Sequence, residues 1–256
     1  RVLFRSKETA VLEACVIGIA SGIAAVLLRS GVGFLGTLRV RQGEISWIWL
    51  PLIGTVGGLL AGWLSNSLAP ETKGSGIPQV KAALSQFPVA LNLRVAGVKF
   101  FSTLLVMGSG MTVGQQGPTV QVGASLAGEL GRWVPTSPEY RRQMIAAGAA
   151  AGLAAAFNAP LAGVLFVIEE LLHDLSSITL GTAIIASFMG AVVSRHLAGH
   201  GLLSISVFKG HSIPITTAEL PLLLLVGMIT GILGACFCQG ILLSRSLYDR
   251  RSEEHT

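Results

Sequence analysis

The chain has 256 residues; Lys+Arg 18 and Asp+Glu 13 together make 12% of it, about half the charged share of a soluble domain, and the net charge of +5 is spread thinly over its length. Hydrophobic residues make up 51%, glycines number 32 and the mean hydropathy is +0.68, more apolar surface than one water-soluble core of this size can hide. Low hydrophobicity for disorder, many cysteines for a disulfide scaffold and a concentrated basic face for nucleic-acid binding are all missing, which leaves a multispanning membrane protein.

A basic leader at 1–9, with Arg1, Arg5 and Lys7, precedes the first apolar stretch at 10–28, whose one charge is Glu13. By the positive-inside rule it puts the N-terminus in the cytoplasm, although Arg29, Arg39 and Arg41 in the loop expected next pull the other way. It does not read as a signal peptide, because its apolar region is too long and no small-residue cleavage site precedes the next span. Further uncharged stretches run at 45–70, 100–128, 143–168, 175–194 and 220–244, each reaching the roughly 20 residues that cross about 30 Å of hydrocarbon. Small residues recur at four-residue spacing in Gly18/Gly22, Gly54/Gly58/Gly62, Gly148/Gly152 and Gly227/Gly231, which predicts close helix packing within one bundle.

Three breaks interrupt these stretches: Lys73-Gly74-Ser75-Gly76-Ile77-Pro78, Gly114-Gln115-Gln116-Gly117-Pro118 and Phe157-Asn158-Ala159-Pro160. Pro near the first turn of a helix loses no hydrogen bond, so each break predicts a helix start. In the first two, glycine removes side-chain bulk. A ligand can then touch backbone N–H groups that have no intrahelical acceptor and sit at the positive end of the helix dipole. At membrane depth such groups must be met by protein or by an ion in a cavity, so two converging starts would replace an anion's water with partial charges weak enough to let it leave. Ser75 supplies a hydroxyl that either donates to the anion or caps the helix, two readings that stand level. Asn158 reads as a plain N-cap.

Glu169 and Glu170 follow the third break by roughly 17 Å of helix, and either sit at a water interface with His173 and Asp174 or turn one carboxylate inward to pass protons. His196 and His200 have a metal-binding spacing, but Gly199 and Gly201 end the helix there and no further ligand is near, so no metal is expected. Cys15, Cys236 and Cys238 read as small hydrophobes. No hydrolase, nucleotide-binding or metalloprotease motif is present, so an enzyme is not expected.

Gly74-Ser75-Gly76-Ile77-Pro78, the Gly114–Pro118 segment, and Ala154 to Gly163 running into Glu169-Glu170 resemble, in this order, the CLC family of chloride channels and proton-coupled chloride exchangers. The resemblance implies an all-α membrane protein, a bundle of tilted and broken helices in two inverted repeats, assembled as a homodimer with one pathway per subunit in the plasma membrane. Its partners would be chloride, as the transported ion rather than a cofactor, and the lipid bilayer, with no nucleic acid. Carried over, Gly74, Ser75, Gly76 and Ile77 hold the central anion, Gln116 and Gly117 the outer one, and Glu170 is the internal proton-transfer residue. Gln116 departs from the pattern, since the family usually has its gating glutamate there. Glutamine resembles a protonated glutamate in shape but has no acidic proton and no charge to occupy an anion position. Passive, uncoupled chloride movement is therefore expected. The alternatives are a proton/chloride exchanger with atypical gating and a non-transporting scaffold or degenerate copy, the latter disfavoured because a scaffold needs no amide-rich helix starts.

The family's later Gly-x-Phe-x-Pro helix start and pore-lining tyrosine have no counterpart, Tyr140 and Tyr248 standing elsewhere. The expected division is a first repeat at 10–200, a linker and the opening helix of a largely missing second repeat at 201–250, and a non-native tail at 251–256.

Overall fold

The computed structural model describes residues 7–41, 49–134, 137–172, 177–198 and 220–253. The leader residues Arg1 and Arg5, the polar pair His173 and Asp174, His200, the linker at 201–219 and residues 254–256 lie outside them. Among the described residues the chain is all-helical, without strands: α1 (Lys7–Arg41), α2 (Trp49–Leu68), α3 (Ile77–Leu84), α4 (Leu93–Gly108), α5 (Gln116–Trp133), α6 (Pro138–Phe157), α7 (Pro160–Phe166), α8 (Ser177–Ala198) and α9 (Leu220–Glu253). A 3₁₀ turn at Pro70–Thr72 precedes the first break, and a π-helical turn at Val167–Leu172 extends α7.

The breaks fall where Gly and Pro place them, and they divide the long uncharged stretches. The stretch at 100–128 is cut into α4 and α5, and that at 143–168 into α6 and α7. Among the described residues, three helices are long and apolar enough to cross a membrane on their own: Thr9–Leu38, Thr179–Leu197 and Pro221–Ser244. The loop expected after residue 28 is also absent, because α1 continues through Arg29 to Arg41. At 1.5 Å per residue its 30-residue apolar part is about 45 Å long, more than the hydrocarbon thickness, which a helix accommodates by tilting. Asn158 is not an N-cap. It closes α6 in the left-handed conformation (φ 54°, ψ 37°), and Ala159 occupies the position before α7.

The chain divides into two compact units, Arg1–Ser204 and Ile205–Thr256. In the first, backbones approach across glycine. Gly148 and Gly152 of α6 lie against Gly123 and Thr119 of α5, so these helices run antiparallel, while Gly18 and Gly22 of α1 lie against Ala186 and Gly190 of α8, which run parallel. A Cβ added at Gly123 or Gly148 would collide with the other's carbonyl. Two of the four glycine pairings thus pack the bundle as expected. Gly62, in contrast, faces open space, and Gly54 and Gly58 meet only the side chain of Met111. The core is correspondingly small-grained: Ala146, Ala149 and Ala150 of α6 are fully buried with Val80 and Leu84 of α3, Val120 and Ala124 of α5, and Val167 of the π turn. Small residues at helix contacts are how membrane bundles gain van der Waals contact without a hydrophobic driving force. The second unit's described part is α9, with a 24-residue apolar run.

Candidate functional site

Two kinds of helix start occur in the first unit. The ordinary ones are capped by side chains, Asn92 accepting from the Val95 N–H at 2.9 Å on α4 and Ser137 from the Tyr140 N–H at 3.2 Å on α6. The starts at the three breaks have no side-chain cap: their N-cap positions are Gly76, Gln115 and Ala159. Ser75 is therefore not the cap of α3. It stands one residue earlier, between Gly74 (φ 75°) and Gly76 (φ 100°), both in the left-handed region that favours glycine. The first-turn N–H groups of α3 and α5 have no acceptor within their own helices and carry the positive ends of those dipoles.

These two starts meet. Gly117 lies directly against the Ser75 carbonyl, and a Cβ at Gly76 would come within 3.0 Å of the Gly117 oxygen and 2.7 Å of Gln121 Oε1. Gly76 and Gly117, 41 positions apart in the chain, thus bring their backbones into contact because neither carries a side chain. Gly76 and Gly117 are buried beneath the contact, Ile77 is half-buried, and Gly74, Ser75 and Gln116 are exposed above it. A cavity of about 730 Å³ reaches Gly74 and Pro118 from the side of α2 and α4.

Lys99, which the sequence reading passed over, supports the first break from below. It is 4% exposed, and its ammonium donates to the carbonyls of Thr72 at 2.9 Å and Gly74 at 2.7 Å. In a trans peptide the C=O and the following N–H point in opposite directions, so tying the Gly74 carbonyl to Lys99 turns the Ser75 N–H away from α4. The sign that could have found it is an ionisable residue in the interior of an apolar helix, which by default marks a functional position. Gln121 is a second such support. It is fully buried and its Nε2 donates to the Glu71 carbonyl at 2.8 Å, tying α5 to the turn before the first break. Gln79 Nε2 donates to the Lys73 carbonyl at 2.6 Å, while the Lys73 side chain is exposed.

Of the residues singled out from sequence, Gly74, Ser75, Gly76, Ile77, Gln116 and Gly117 come together here. Glu170 does not join them. It lies on the π turn, half exposed, in an ion pair of 3.1 Å with Lys81 of α3, five residues beyond Gly76 and so roughly 7 to 8 Å along the helix. Glu169 is exposed beside it. The π turn turns both carboxylates outward while Val167 and Leu171 stay buried.

Helix starts without side-chain caps that meet within a bundle of broken apolar helices define an integral membrane protein. The sequence matches the voltage gated chloride channel family over residues 57–255, and the chain belongs to that family. It is 35% identical to the H(+)/Cl(-) exchange transporter ClcA of Citrobacter koseri over 98% of this chain and 55% of the exchanger, and 35% identical to ClcA of Salmonella newport over 93% and 52%. The chain thus spans about half the length of these relatives. Among solved structures it resembles a slow cyanobacterial Cl-/H+ antiporter (TM-score 0.80, 30% identity, 94% of this chain and 58% of that one). It also resembles a CLC-type fluoride/proton antiporter (TM-score 0.70, 26% identity, 89% and 55%).

Proposed function

We propose that the protein moves chloride, or a similar small anion, passively across the membrane, with Gly74, Ser75, Gly76 and Ile77 holding a central ion and Gln116 and Gly117 an outer one. The observation that carries this reading is the position of Gln116: a neutral, exposed amide at the start of α5, next to the Ser75 loop, where the family usually has a carboxylate. An amide neither titrates nor competes with an anion, so the outer position is left to the ion at every pH. The Lys81–Glu170 pair adds support, because the internal carboxylate is engaged by an ammonium group on the same helix that carries the Ser75 site. The relatives' names support chloride as the cargo. The working unit in this reading is a homodimer in the plasma membrane, one pathway per subunit.

A second reading, proton-coupled exchange with atypical gating, is favoured by one finding: the relatives and structural neighbours reported above are named as exchangers or antiporters. Reversal potentials measured in liposomes under combined chloride and pH gradients separate the two. Under passive movement the potential follows the chloride gradient alone, and a shift with the pH gradient would establish coupling instead. Calorimetric binding of chloride that is lost or altered in Ser75→Pro excludes the scaffold alternative, whereas no binding by either protein would support it.

A further inference from the structure

Four consecutive carbonyls lead into the Ser75 loop, and each is taken up by a side chain. The Glu71 carbonyl accepts from Gln121 of α5 at 2.8 Å, those of Thr72 and Gly74 from Lys99 of α4 at 2.9 and 2.7 Å, and that of Lys73 from Gln79 of α3 at 2.6 Å. The Thr72 and Lys73 N–H groups close the 3₁₀ turn on the Ala69 and Pro70 carbonyls at 2.9 and 3.2 Å, so those of Gly74 and Ser75 are the first that the turn does not use. A held carbonyl fixes its peptide plane and with it the direction of the next N–H.

Of these three side chains, Gln121 alone stands on the helix that begins with Gln116 and Gly117, five residues or roughly 7 to 8 Å beyond Gln116. A carbonyl only accepts, so the end of the amide that meets Glu71 is the NH₂ and Oε1 turns to α3. There it lies against Gly76: a Cβ on that glycine would stand 2.7 Å from Oε1 and 2.8 Å from the Gln121 Cβ. Oε1 has no hydrogen-bond donor among the described residues, and its partial negative charge sits beside the positive end of the α3 dipole. One side chain thus holds the turn before Ser75 and bears on the residue after it, from the helix whose own start touches the Ser75 carbonyl. Gln121 is fully buried, so water does not replace a bond lost there. We propose that Gln121 is a positioning residue of the anion site: it fixes the Ser75 loop against the start of α5 and so sets how far apart the central and outer anion positions stand. The proposal rests on the chloride reading above and adds to it a residue outside the loop and the helix start that hold the ions.

The purified protein in detergent is titrated with chloride by calorimetry, and its unfolding midpoint without chloride is measured alongside, for the wild type, Gln121→Met and Gln121→Glu. Methionine keeps the length of the side chain and loses the donor, so chloride binding weakens by up to about tenfold, the size of one hydrogen bond. Glutamate also sets a negative charge against the Glu71 carbonyl and weakens binding further at neutral pH. In acid its carboxyl regains an O–H donor, and binding recovers relative to the wild type at the same pH. That recovery carries the test if the methionine variant does not fold. A side chain that only fills space would lower the unfolding midpoint and leave the chloride affinity, and its response to acid, as in the wild type. Wild-type affinity for chloride in both variants overturns the assignment and spares the chloride reading; a wild type that binds no chloride overturns both.

Discussion

An ammonium group taken out of water needs acceptors, and Lys99 finds them in the two carbonyls that shape the Ser75 loop. Lys99→Met removes two hydrogen bonds of the charge-assisted kind, each contributing about 1.5–3 kcal/mol, and frees the Gly74 peptide to rotate. The expected result is a lower unfolding midpoint in detergent together with weaker stabilisation by chloride. An unchanged chloride response would mean that the loop holds its shape without the lysine. Gln116 is tested by adding charge rather than removing it. A carboxylate at a helix N-terminus gains up to about 2 kcal/mol, roughly 30-fold in occupancy of that position. Gln116→Glu should therefore slow chloride flux in liposomes and make it faster at low pH, where protonation removes the competing charge. Flux that is neither slowed nor pH-dependent would put Gln116 outside the pathway.

Helix packing here is decided by where glycine backbones meet. Gly117→Ala places a methyl on the Ser75 carbonyl and must push the two helix starts apart, an overpacking cost of about 1–3 kcal/mol. Gly62→Ala on α2 meets nothing and should be neutral or stabilising by up to about 1 kcal/mol, since alanine is the better helix former. Thermal unfolding of the two variants side by side checks the contrast; similar losses in both would contradict it. The Lys81–Glu170 pair links α3 to the π turn, but with side chains 42% and 50% exposed it is worth less than about 1 kcal/mol. Lys81→Gln should accordingly leave the unfolding midpoint almost unmoved, and any effect it has should be on transport.

At the scale of the whole molecule, the described helices carry many large apolar side chains on their outer surfaces. Leu12, Leu27 and Phe34 of α1 and Leu52, Leu59 and Trp63 of α2 are each more than half exposed, although they belong to helices whose other faces are buried. A patch of this extent is a liability in water and an ordinary surface in lipid. The protein should stay with membranes through an alkaline carbonate wash and aggregate when detergent is withdrawn, whereas its appearance in the washed supernatant would contradict the integral placement. Much of this was legible beforehand. The low charge and the uncharged stretches foretold a membrane protein, and Gly and Pro foretold the three breaks, because both act on the backbone of their own segment. The length of α1 was misread, since a basic side chain ends a helix less reliably than it ends an uncharged stretch.

Local chemistry in the chain was enough to specify interrupted apolar helices and their starting points, and three short motifs at those starts carried the resemblance to the family. None of these needs a partner distant in sequence. The contact of Gly117 with Ser75, the anchoring of the Gly74 carbonyl by Lys99 and the pairing of Glu170 with Lys81 were decided only by the tertiary structure. Each joins residues from different helices, and which helix faces meet depends on how glycine and alanine surfaces fit along their whole length, a property no single segment carries.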